Sequence, residues 1–143
     1  MNHIQDIEIM APVGCWESLA AAIEVGATSV YFGIEHLNMR SRSSANFTTQ
    51  DLHTIVERCQ AVGVKTYLTL NTVMYPEDLP LMREIVDHAK AANVSAIIAS
   101  DIAALQYAFQ SGVEVHLSTQ LNIANTEALK FYAQYADVVV LAR

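Results

Sequence analysis

The sequence predicts an α/β fold: a parallel (βα)5β run that forms a partial TIM-barrel-like domain lacking its last strands. Three observations carry this expectation. Six short runs rich in β-formers alternate with segments of helical periodicity along the 143 residues, and strict alternation makes the sheet parallel with right-handed crossovers. The charged fraction is 16%, against about 25% in ordinary globular chains, a deficit that strands covered on both faces produce. Polar residues also recur along one side of most strands. That pattern suits a barrel lumen that becomes polar toward its carboxyl end better than an open doubly wound sheet.

The elements follow in order. Strands are expected over 7–11, 29–33, 65–71, 96–100, 114–119 and 137–142. Between them, Trp16, Leu19, Ala20 and Ile23 give the i, i+3, i+4, i+7 spacing of a buried stripe. Leu52, Ile55, Val56, Cys59 and Val62 repeat it, as do Leu79, Met82, Ile85, Val86 and Ala89. Ile102, Leu105 and Phe109 form the next stripe, then Leu129, Tyr132, Ala133 and Ala136. Gly26, Gly63, Gly112 and Asn93 fall just after helices, where a left-handed residue ends them. Thr48 to Asp51 reads as a capping box, and Pro76 suits a first helical turn. One connection, 34–47, is longer than the rest.

The whole chain, 1–143, reads as a single domain, well short of the roughly 250 residues of a closed eight-fold barrel. Its run ends on Arg143, at the carboxyl end of a sixth strand, so the expectation is the front portion of a longer barrel enzyme. A net charge of −7, with 8 scattered Lys and Arg, excludes a strong nucleic-acid-binding patch. No run approaches the ~18–20 apolar residues of a membrane span, and the first residues lack the regions of a signal peptide, so a cytoplasmic location is expected. Cys15 and Cys59 are too few and too distant for a metal or disulfide framework.

Side chains alternate along a strand, so each run splits into two faces. Tyr67, Thr69 and Asn71 oppose Thr66, Leu68 and Leu70; Glu114, His116, Ser118 and Gln120 oppose Val113, Val115 and Leu117. In the last strand Val138 and Val140 are assigned to the helix layer, with Asp137, Val139, Leu141 and Arg143 on the other side. Asn71, Ser100, Asp101, Ser118, Thr119, Gln120, Asn122 and Arg143 all come at or just after strand ends, where barrel enzymes hold their sites. Arg40 and Arg42 lie on the long loop over the same rim. Structural roles compete for several of these: Asp101 and Asn125 suit helix caps, and His116 suits a hydrogen-bonded core position. No lysine ends a strand, no HxH or HExxH suggests a metal, and no nucleophile elbow is present. The rim is built to hold a polar or anionic group.

Taken together, Ala11-Pro-Val-Gly14, Ala27-Thr-Ser-Val-Tyr-Phe-Gly33, Asn38-Met-Arg40-Ser-Arg42 and Ala45-Asn-Phe-Thr48 resemble the opening of the collagenase-like peptidases, peptidase family U32. Thr69-Leu-Asn71, Ser100-Asp101, His116-Leu-Ser-Thr-Gln120 with Asn122 and Asn125, and Val140-Leu-Ala-Arg143 resemble its later blocks in order. The resemblance implies a barrel domain and peptidase activity. It implies Arg40, Arg42, Asn71, Gln120, Asn122 and Arg143 as substrate-holding groups, with His116 the acid–base candidate. It also implies a competing activity, because several members are RNA- or quinone-hydroxylating proteins with an iron–sulfur cluster. Their cluster cysteines lie downstream of the matched region, so no cofactor is expected in this chain and a cluster belongs to a longer protein. A third expectation is a non-catalytic half-barrel that dimerises or binds a partner through its open edges.

Overall fold

The computed structural model describes residues 7–38 and 47–142. Six strands form one parallel sheet: β1 (Met10–Pro12), β2 (Ser29–Phe32), β3 (Lys65–Leu70), β4 (Ala96–Ala99), β5 (Val115–Leu117) and β6 (Val138–Val139). Five α-helices connect them: α1 (Trp16–Glu24), α2 (Thr49–Gln60), α3 (Leu79–Ala92), α4 (Ile102–Gln110) and α5 (Thr126–Tyr132). The spatial order is β1-β2-β3-β4-β5-β6. Because each crossover joins neighbours with the same hand, every helix falls on the same face of the sheet. The other face curls into the lumen of a half-barrel, and the (βα)5β expectation is borne out.

Register fixes which residues share that lumen. Pro12, Tyr31, Tyr67 and Ala96 stand in one row. Thr69, Ile98, His116 and Val138 stand in the next. This corrects the faces assigned to the last strand. Val138 is paired with His116 on the luminal side, and Val139 is paired with the fully buried Leu117 and packs on the core. The strands are also shorter than expected, most of all β6.

Most stripe residues face the core, but in α1 it is Ala22 that is buried beside Leu19 while Ala20 is exposed, and Ala133 beyond α5 is exposed as well. Leu52, Ile55, Val56 and Cys59 of α2 are buried, as are Met82, Ile85, Val86 and Ala89 of α3. In α4 the inward residues are Ala104, Leu105 and Ala108. Two small alanines let the helix approach the sheet closely, which turns Ile102 and Phe109 to its flank, where both are half-exposed. Little sheet lies beneath α5, since β6 is two residues long, and Leu129 is accordingly exposed. Val62 follows α2 in the turn before β3 and faces solvent.

The caps match their sequence signatures. The Asp51 amide donates to Thr48 Oγ1 at 3.3 Å, and the Thr48 amide donates back to Asp51 Oδ2 at 2.8 Å. Asn93 ends α3 at φ 63°, a conformation that asparagine tolerates. After β2 the chain is clamped. Ile34 bridges Phe47, and the buried Asn38 donates Nδ2 to the Ile34 carbonyl at 3.0 Å. Glu35, at φ 51°, accepts from the amide and hydroxyl of Thr49, each at 3.0 Å.

Candidate functional site

At the carboxyl ends of the strands the polar residues form a rim. Ser118, buried after β5, caps the short turn Thr119–Leu121 by accepting from the Gln120 amide, and its hydroxyl lies 3.3 Å from Gln120 Oε1 as donor. Asn122, at φ 52° and ψ 41°, closes that turn. Gln120 and Asn122 are thereby brought together with Thr119 and Ala142 around an open cavity of about 420 Å³. The Ala142 amide donates to the Ile123 carbonyl at 2.9 Å, which lays the chain end alongside this turn. A neighbouring cavity of about 300 Å³ is mainly apolar, with Ile123, Leu129 and Leu141 in its wall.

On the adjoining arc, Asn71 and Thr72 follow β3 and are half-buried. The Thr72 hydroxyl oxygen is buried and has no hydrogen-bond partner among the described residues. Asp101 works in two directions. Its Oδ1 accepts from the Ala103 amide at 2.8 Å, capping α4, and its Oδ2 accepts from the Met74 amide at 3.0 Å. Sequence reasoning reached the cap but not this second bond, because Met74 lies 27 positions away. Arg40, Arg42 and Arg143 lie outside the described residues. With its amides and hydroxyls, the described rim can donate to and accept from a peptide-like group.

His116 belongs to a different constellation. Its side chain is 9% exposed, Nε2 lies 2.8 Å from Glu114 Oε1, and the ring centroid is 4.9 Å from that of Tyr67. Glu114 precedes β5, and Tyr67 stands one row nearer the strand starts, so the ring leans toward the amino-terminal mouth of the lumen. There the Tyr67 hydroxyl donates to Glu8 Oε1 at 2.5 Å, and Lys65 lies 3.8 Å from the same carboxylate. Burial pushes the Glu8 carboxyl up. The Tyr67 and Ser29 hydroxyls and the Lys65 charge outweigh that and hold it below the usual carboxylate range. Burial, followed by the Glu8 carboxylate, pushes the Tyr67 phenol well up. Glu114 and Tyr67 share the luminal face in the alternation of the sequence, but nothing there shows which end they lean toward.

Neither cysteine fits a cluster. Cys15 starts α1 with Sγ 3.0 Å from Ser18 Oγ. Cys59 is fully buried on α2, and burial pushes its thiol up to about 11. Among the described residues no group of three or more His, Cys, Asp or Glu is arranged to hold a metal. Among the described residues the two separated thiols do not make a ligand set for an iron–sulfur cluster. No described helix is long and apolar enough to cross a membrane.

Comparison with known proteins agrees with this architecture. The chain is 66% identical over 141 residues to a collagenase of Porphyromonas gingivalis, covering 99% of this chain and 34% of that protein. It is 34% identical over 139 residues to the tRNA hydroxylation protein P1 of Bacillus subtilis, covering 95% of this chain and 33% of that one. The chain thus spans about a third of the length of the curated relatives it matches. A solved structure of a U32 peptidase superposes with a TM-score of 0.75 at 13% identity, covering 94% of this chain and 57% of that one, which shows the fold. The sequence profile of peptidase family U32 matches residues 14–143, and the chain belongs to that family.

Proposed function

We propose that the chain is the substrate-holding barrel portion of a collagenase-type peptidase, a hydrolase. The observation that carries this reading is 66% identity to a collagenase across almost the entire chain, against 34% to a tRNA hydroxylation protein. The rim supports it chemically, since Gln120 and Asn122 offer the paired donors and acceptors that a peptide backbone needs. In this reading Arg40, Arg42 and Arg143 complete the rim, and His116 is the group whose role most needs a test.

The protein expressed in the context of its full gene is incubated with gelatin and with soluble collagen, and products are read by mass spectrometry. The expected result is discrete cleavage that Gln120→Ala with Asn122→Ala weakens at least tenfold. Intact substrate after prolonged incubation overturns the reading.

A second reading, hydroxylation of RNA, is favoured by the tRNA hydroxylation relative and by the absence of a nucleophile–base pair on the described rim. Its mark is a hydroxylated tRNA nucleoside lost when the gene is deleted and restored by the intact gene. A cytoplasmic location belongs to this proposal, and a third reading is a non-catalytic half-barrel that pairs with a second chain through its open edges.

A further inference from the structure

The Asp101 carboxylate joins two segments of the carboxyl rim just beyond the last β3–β4 pair, Leu70 with Ala99. Its Oδ1 is used by the first turn of α4, and its Oδ2 is used by Met74, three residues beyond Asn71 in the β3–α3 connection. A helix cap needs one oxygen. The second bond is therefore additional to the cap, and it is made to a backbone amide that has no other partner among the described residues, in a stretch without regular structure. That stretch, 71–75, carries Asn71 and the buried Thr72 hydroxyl that no described group satisfies. A buried hydroxyl without a partner costs free energy unless a ligand or water meets it. Its position beside a strand end is where barrel enzymes bind substrate.

We infer that Asp101 is a positioning residue. By gripping the Met74 amide it holds the β3–α3 connection in the one placement that turns Asn71 and Thr72 to the bound group. The inference rests on the rim reading above for what is bound, but the grip itself is independent of the reaction.

Asp101→Asn separates the two functions. Asparagine caps helices about as well as aspartate, yet its single carbonyl oxygen cannot serve both amides. Asp101→Ser is the control, since serine caps the helix but is too short to reach Met74. Amide exchange at Met74 is expected to accelerate about ten- to hundredfold in both variants, the factor that a lost hydrogen bond to a charged group represents. Exchange at Ala103 and Leu105 stays as in the parent. In the protein made from the full gene, KM for the gelatin-derived peptide rises about tenfold with kcat nearly kept, and Asn71→Ala adds little on top. Unchanged exchange at Met74 overturns the grip. Faster exchange with an unchanged KM overturns the positioning role. If the parent cleaves no peptide, the proposed reaction fails while exchange at Met74 still decides the grip.

Discussion

The Tyr67 hydroxyl donates to the Glu8 carboxylate, joining β3 to the segment before β1 across 59 positions of sequence. This bond, with Lys65 beside it, draws the residues ahead of β1 onto the amino-terminal mouth of the lumen. It makes stability depend on pH at both ends. Glu8 sits below its ordinary value, so its contribution is present above about pH 4.5 and is lost as pH falls through the lower folded value. Tyr67 sits above its ordinary value, so its contribution is present below about pH 10 and is lost as pH rises beyond it. Glu8 is partly solvated, which keeps its share under about 1 kcal/mol. Glu8→Gln is expected to flatten the acid limb of the thermal midpoint against pH. An unchanged acid limb would remove Glu8 from the account.

His116 packs against this pair, and that placement sets a direct test of the acid–base role. With its ring buried and Nε2 bonded to Glu114, His116→Gln is expected to lower stability by about 1–2 kcal/mol. Chemical denaturation of both proteins measures this. A parental midpoint with abolished activity would instead put His116 among the reacting groups.

Gly33 has no room for a side chain. A Cβ there would come within 2.2 Å of Asn38 Cγ, and Asn38 cannot yield because it is fully buried and bonded to the Ile34 carbonyl. Gly33→Ala should therefore cost about 1–3 kcal/mol. Adding Asn38→Ala should cost less than the sum of the two single changes, as a denaturation cycle would show. Simple additivity would mean that the two residues do not press on each other.

The two thiols should behave differently. Cys59 is fully buried with its thiol pushed up to about 11, so in the native protein at pH 8 only Cys15 reacts with a thiol reagent. Two labels appear once denaturant is added. Because Cys59 is raised above its ordinary 9.0, its contribution is intact below pH 9 and declines as pH climbs through 11. Two fast labels at pH 8 would show that α2 opens readily.

Much of the architecture was legible because it rests on local chemistry. The alternation of strands and helices, the Thr48–Asp51 box, the Asp101 and Asn125 caps and the left-handed Asn93 all depend on residues within a few positions of one another. The grouping of Gln120 with Asn122 was legible for the same reason, since one short turn holds both. Tertiary structure alone decided the rest. Which face of β6 meets the lumen follows from its register with β5, and one residue of slip exchanges the two faces. Ile102 and Phe109 went to the flank of α4 because Ala104 and Ala108 offered the closer approach to the sheet. Alternation put His116 on the luminal face, but its tilt toward the amino-terminal mouth was decided by Tyr67 on a strand 49 positions away. Periodicity reports the face a side chain occupies, whereas its partners across the sheet decide which end of the barrel it serves.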